Sequence, residues 1–294
     1  MFRRFASLAL LGVTALAACA KDAAKSDSTA VAQTGGAAAS AAGYDPATRV
    51  ATVVATDFAF VAPDSIPSGW TTFRLVNDGP TLHHVQLVRL DGGKTLADLD
   101  AAMKAPGGKL PAWAVLAGGP NAPDPKAQSN ATMNLAAGNY VLVCFVDIPD
   151  KVPHLAKGMV RPLKVTAATE AGVEPTADVV ITLSDYAFTV TTGALTAGKH
   201  VVKLVNNGPQ DHEIELMRFA AGKTLKDLGA WAATLQGPPP AGAIGGIANI
   251  AKGGAAYFDV ELTPGNYVFL CFFPDAKDGK PHMEHGMIKE FTIQ

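Results

Sequence analysis

The chain has 294 residues, with 24 Lys and Arg against 26 Asp and Glu, for a formal net charge of −2. That balance, with an isoelectric point near 6.4, gives no reason to expect a nucleic-acid partner. Aromatic residues make up only 7%, while 29 Gly and 20 Pro are present; with long helical periodicities scarce, the composition predicts an all-β protein.

The N-terminus carries an export signal. Arg3 and Arg4 form a short basic region, and residues 5–18 are an uncharged apolar run with the length of a signal-peptide core, too short for a comfortable membrane span. The run ends in Leu16, Ala17, Ala18 and Cys19, which resembles the bacterial lipobox, so residues 1–19 read as a lipoprotein signal with Cys19 as the lipidated residue. The alternative is an ordinary small-residue cleavage site with a Cys beside it by chance. Residues 20–45, rich in Ala, Ser, Gly, Thr and Lys, have almost nothing to bury and read as a disordered tether. A coil of that length spans about 25–30 Å, enough to hold a folded domain just off a membrane.

The rest of the chain repeats itself. Residues 75–80 (LVNDGP) match 204–209 (LVNNGP), 93–99 (GKTLADL) match 222–228 (GKTLKDL), 138–145 (GNYVLVCF) match 265–272 (GNYVFLCF), and 153–159 (PHLAKGM) match 281–287 (PHMEHGM). Upstream, 57–60 (DFAF) answers 185–188 (DYAF). The expected organisation is therefore one domain over 46–167, a linker over 168–176 and a second domain over 177–294. Within the first repeat, runs at 50–54, 71–76, 140–145 and 163–165 are rich in Val, Thr, Phe and Leu between Gly, Pro and Asp breaks, as sandwich strands are. One helix interrupts each repeat. Thr95 with Asp98, and Thr224 with Asp227, have capping-box spacing. Leu96, Leu99 and Met103, like Leu225, Leu228 and Trp231, form a stripe that packs on the sandwich. His200 falls at a strand start and is expected on the surface.

Cysteine use is informative. Besides Cys19 there are two, Cys144 and Cys271, at equivalent places of different repeats. That is a poor arrangement for a disulfide within either domain, and unpaired thiols in an oxidising compartment call for another explanation. Taken alone, a strand Cys is usually a small buried hydrophobe, a Met before a strand is core, and His154 is a turn residue. Four residues recur together and in order, however: His83, Cys144, His154 and Met159, then His212, Cys271, His282 and Met287. A thiolate, two imidazoles and a weak thioether are the ligand set of a blue-copper electron-transfer site. His83 is preferred to His84 because it aligns with His212.

These residues resemble the cupredoxin family, the plastocyanins and azurins. Members place one His after an Asn- and Gly-containing turn, a Cys on the penultimate strand, and a second His and a Met in the loop before the last strand. Residues 206–212, 264–271 and 282–287 carry those elements here. The resemblance implies two tandem Greek-key β-sandwiches, each with a short helical insertion and one copper. Two departures stand out. Nine residues separate Cys144 from His154 and ten separate Cys271 from His282, a loop longer than in small cupredoxins and similar to that of copper nitrite reductases. The residue after the first His is often an Asn that ties the ligand loops; here it is His84 or Glu213, so that tie is absent or replaced and the site is expected to be looser.

Three functional classes compete: an electron carrier or copper storage and delivery protein, a copper enzyme, and a metal-free scaffold or adhesion module. Two-domain copper enzymes of the superfamily need additional His-only centres, often with a His beside the Cys ligand. Val143 and Phe145 flank Cys144, and Leu270 and Phe272 flank Cys271. The expectation is a non-enzymatic, lipid-anchored electron carrier of the cell envelope, on its periplasmic or extracellular face, served by a redox partner such as a cytochrome.

Overall fold

The computed structural model describes residues 41–105, 109–147 and 150–294. The signal segment and Cys19 lie outside the described residues, as does most of the tether. Among the described residues no helix is long and apolar enough to cross a membrane.

Period-two burial dictates the strands. In the segment Gly69–Asn77 buried and half-buried residues alternate without a break, so one face enters the core and the other does not. The strands of the first repeat are β1 (Gly43–Asp45), β2 (Val50–Thr56), β3 (Ala59–Val61), β4 (Ser65–Pro67), β5 (Gly69–Asn77), β6 (Gln86–Leu90), β7 (Ala114–Leu116), β8 (Gln128–Leu135), β9 (Gly138–Val143) and β10 (Val160–Thr166), with helix α1 (Leu96–Lys104) after β6. The second repeat has β11 (Val179–Ser184), β12 (Ala187–Thr192), β13 (Gly198–Asn206), β14 (His212–Phe219), β15 (Ala241–Ile250), β16 (Ala255–Leu262), β17 (Gly265–Leu270) and β18 (Ile288–Ile293), with α2 (Leu225–Thr234) after β14. Residues 43–45, which composition assigns to the tether, are ordered as β1 against β2, with Gly43 opposite Thr52.

Each repeat is a two-layer sandwich. In the first, β1-β2-β5-β8 forms one layer and β4-β10-β9-β6-β7 the other; in the second the layers are β12-β11-β13-β16 and β15-β14-β17-β18. The pairs β2–β5 and β11–β13 are parallel, so the chain must leave the layer and return, as in a Greek key. Fully buried Phe73, Leu75, Leu87 and Leu142 of the first repeat, and Ile181, Leu204, Ile214 and Phe269 of the second, belong to one continuous core. The helices are satellites on that frame. Both capping boxes form, Thr95 with Asp98 and Thr224 with Asp227, a device that stabilises a helix end by about 1 kcal/mol. Leu99 buries against Val88, Leu90 and Val141, and Leu228 against Met217, Val268 and Leu270.

The repeats also meet directly. The β8 and β16 edges join at Thr132 and Tyr257, making one nine-stranded sheet across both repeats. Asn130 exchanges side-chain hydrogen bonds with the Asp259 backbone beside this pair. A second seam runs backbone to backbone: Gly118 N donates to Asn249 O at 3.0 Å, Ala248 N to Gly119 O at 2.8 Å, and Asn121 N to Gly246 O at 3.0 Å. Gly119 and Gly246 have φ of 136° and 126°, and a Cβ on either would collide with the carbonyls of Val85 or Ile214. Only glycine permits this approach.

His200 departs from expectation. It is 8% exposed, and its ring donates from Nδ1 to Asp178 Oδ2 at 2.5 Å and faces Thr196 on the other side. It locks the start of the second sandwich from inside.

Candidate metal centre

The first His of each quartet is delivered by a turn that Asn77 or Asn206 builds. Asn77 Oδ1 accepts from Gly79 N at 3.1 Å while its Nδ2 donates to the carbonyls of Thr81 and Pro123. Asn206 does the same with Gly208, Gln210 and Ile250. A Cβ at Gly79 or Gly208 would stand 2.6 or 2.5 Å from the imidazole Nε2 of His83 or His212, so glycine leaves the room that the ring fills.

Cys144 and Cys271 follow directly on β9 and β17, and both are free thiols. The second His opens a short 3₁₀ turn, His154–Lys157 or His282–His285, closed by Gly158 or Gly286 in the left-handed region. Backbone bonds fold this turn onto the Cys: Leu155 N donates to Cys144 O, Met159 N to His154 O, and Cys144 N to Met159 O. In the second repeat Met283 N donates to Cys271 O and Met287 N to His282 O.

The result is two like clusters. The His83 and His154 Nδ1 atoms lie 3.1 Å apart, and Cys144 Sγ is 3.5 Å from His154 Nδ1. In the second repeat the Nδ1 atoms of His212 and His282 are 3.0 Å apart, and Cys271 Sγ is 3.5 Å from His282 Nδ1. Within each triad all donor atoms fall within 4.8 Å of one another. All six side chains are buried, and Met159 and Met287 are buried in the same core cluster as the cysteines.

Protonation follows from the partners. His83 Nε2 donates to Asp57 Oδ1 at 2.8 Å, and His212 Nε2 donates to Asp185 Oδ1 at 2.8 Å. With the proton fixed on Nε2, the Nδ1 lone pair points at the Cys and the other His. Burial holds the His83, His212 and His282 pKa values below the ordinary histidine value, so the rings are neutral and can act as ligands. Burial also pushes the Cys144 thiol up to about 12 and raises Cys271 likewise. A thiol so placed gives up its proton only to something that stabilises sulfur charge, such as a metal cation.

The tie between ligand loops is replaced. His84 Nε2 accepts from Phe145 N at 2.8 Å, and Glu213 Oε1 accepts from Phe272 N at 2.9 Å. Each thus grips the peptide immediately after the Cys. Burial lowers His84 to about 4 and raises Glu213 to about 7. Asp57, Asp185 and Asn121 lie outside the site read from the sequence, although the DFAF and DYAF match contains the two aspartates; His84 and Glu213 stand there only as the residues at the position of the tie.

A third group, Asp275, Asp278 and His285, gathers in the second repeat's long loop. Asp275 is buried; Tyr186 OH donates to its Oδ2 at 2.5 Å and Gln210 Nε2 at 3.0 Å. These bonds hold its carboxyl far below the usual range.

No family model and no curated protein matches the chain. Solved structures do. A reduced auracyanin from Roseiflexus castenholzii matches at 20% identity over 39% of this chain and 94% of its own, with a TM-score of 0.28. Auracyanin B matches at 23% over 42% and 93%, with a TM-score of 0.29. Copper nitrite reductase from Nitrosomonas europaea matches at 14% over 83% and 93%, with a TM-score of 0.24. All are cupredoxin-fold proteins. The fold here is likewise cupredoxin-like on its own strand order: two Greek-key sandwiches, each with a His before or at the start of one inner strand, a Cys just after the penultimate strand, and a His and Met in the turn before the last.

Proposed function

We propose that the chain is an electron carrier of the cell envelope that holds one copper ion in each repeat, on His83, Cys144, His154 and Met159 and on His212, Cys271, His282 and Met287. The observation that carries this reading is the duplicated, fully buried cluster of two imidazole Nδ1 atoms and one thiol. Metal bonds of about 2.0–2.3 Å place neighbouring donors roughly 3–4 Å apart; here two of the three donor pairs in each triad stand 3.0–3.5 Å apart, and all lie within 4.8 Å. The ligand atoms are therefore already gathered around a space of metal size. Two imidazoles with a thiolate and a following Met favour copper over harder ions. Copper supplies a one-electron couple there; the chain supplies fixed ligands, a dry enclosure and a set tautomer, which keep rearrangement small when the oxidation state changes. Zinc would accept the same donors, but a following thioether favours copper.

Copper content and the visible spectrum of the purified chain test this. Two coppers per chain and a strong thiolate-to-copper absorption are expected, with Cys144→Ser and Cys271→Ser each removing one. A colourless chain that takes up no copper in either redox condition would establish the scaffold reading, and copper uptake without reversible electron exchange the storage reading. Sustained turnover of dioxygen or nitrite would make it an enzyme. The lipobox-like stretch ending at Cys19 supports a lipid anchor and an envelope location, and an electron carrier there would serve a redox partner such as a cytochrome; Cys19→Ser is expected to release the protein from membranes, and continued partitioning would refute the anchor.

A further inference from the structure

A line of buried polar side chains connects the two Cys loops across the seam between the repeats. Phe145 N, next to Cys144, donates to His84 Nε2 at 2.8 Å. His84 Nε2 is therefore the acceptor nitrogen, which leaves the ring proton on Nδ1, and Nδ1 faces Asn121 Oδ1 at 3.3 Å. Asn121 Nδ2 donates to Glu213 Oε2 at 3.4 Å, and Glu213 Oε1 accepts from Phe272 N, next to Cys271, at 2.9 Å. Every donor along the line faces an acceptor with no ring or amide reversed. His84, Asn121 and Glu213 are 5%, 3% and 5% exposed.

Nothing in the packing of a seam demands this. Buried polar groups are costly unless fully bonded, and an apolar seam of the same shape would be at least as stable. Both ends of the line land on the peptide that follows a metal-ligating Cys, and both end residues directly follow a metal-ligating His. The middle residue, Asn121, is fixed independently: its backbone N donates to Gly246 O and its carbonyl accepts from Ser129 Oγ at 2.7 Å. A hydrogen-bonded line in a low-dielectric interior polarises along its length, and a rigid member at its centre transmits displacement as well as charge.

Resting on the copper reading above, we propose that His84, Asn121 and Glu213 are positioning residues that couple the two sites, so that filling one site with metal alters the Cys loop of the other. Coupling of this kind is a free energy shared by both sites and is therefore reciprocal.

The test uses the full chain with one site disabled. In Cys144→Ser, copper can enter only the second repeat, and backbone amide hydrogen exchange is followed at Phe145 in the first. Copper is expected to slow Phe145 exchange about fivefold or more, the lower end of ordinary allosteric coupling. The converse, copper in Cys271→Ser slowing Phe272, is expected to match it. Adding Asn121→Leu should abolish the cross-seam effect while copper still binds with its absorption band in place. Should that variant fail to fold, Glu213→Gln, which sets an amide donor against the Asn121 donor, is expected to weaken the effect in the same way. Copper binding with no change at the distant amide, or a change that survives both substitutions, would overturn the coupling and leave the copper reading intact. A chain that binds no copper would overturn both.

Discussion

A carboxylate on the far nitrogen of a ligand imidazole decides which nitrogen is free to bind. Asp57 and Asp185 take that position 2.8 Å from His83 and His212, and Thr81 Oγ1 donates to Asp57 at 3.1 Å. Asp57→Asn keeps the size but replaces a charged acceptor, and such outer partners typically contribute 10–100-fold in metal affinity. Competition against a chelator is expected to show a loss on that order at the first site and none at the second, with Asp185→Asn giving the mirror result; equal losses at both sites would show a general defect. Here lies the boundary of what the sequence tells. The eight ligand candidates announce themselves because Cys, His and Met recur as a quartet. Asp57 stands 26 residues before His83 in sequence, and an Asp beside a strand reads as a turn former, so only the fold brings carboxylate and ring together.

The loops between Cys and second His differ between the repeats in length and in charge. In the second repeat, buried Asp275 lies 3.7 Å from His282 Nε2. In the first, Lys157 sits 4.3 Å from the centre of the Phe58 ring, whose edge-on partner is His154 at 4.9 Å. Lys157 is paired with Asp150 Oδ2 at 2.5 Å, which largely compensates its charge, so buried Asp275 is what sets the sites apart, since negative charge favours the more positive Cu(II). The second site is expected to have the lower reduction potential. Spectroelectrochemical titration of Cys144→Ser and Cys271→Ser separates the two, and Asp275→Asn should raise the second site's potential toward the first. A higher second potential, or one unmoved by Asp275→Asn, would refute the assignment. Loop length is legible from the spacing of nine and ten residues. The charge asymmetry is not, because Asp147, Asp150, Asp275 and Asp278 look alike until the fold buries one.

At the scale of the whole molecule, the seam carries a group the sites do not use. Glu215 on β14 is 5% exposed with Oε1 unpaired, and burial, then the nearby Glu213, raises its pKa well above the ordinary value. A folded-state pKa above the unfolded one means the native chain holds the extra proton. The associated stability is complete below the unfolded pKa of about 4.3 and is lost as pH rises through the folded value. Glu215→Gln is expected to be stabilising in the metal-free chain, by a margin in Tm that widens from pH 5 to pH 8; a margin independent of pH would show that the carboxyl does not titrate. The seam itself is invisible in the sequence, since Gly118, Gly119, Gly245 and Gly246 carry no apolar pattern and read as loop. Its contacts are reciprocal: Ala117 bridges Ile250, Pro120 bridges Ile247, and matching glycine pairs run antiparallel past each other. Like segments crossing antiparallel, each making the other's contacts in return, is the signature of an isologous dimer contact. The chain is thus a pair of subunits that happen to share one backbone. The segment 168–176 is itself packed on both halves, with Ala171 O accepting from Trp70 N and Glu174 from Lys203; because the glycine seam and the β8–β16 edge also join them, cutting this segment should leave a two-fragment complex in place of two independent modules.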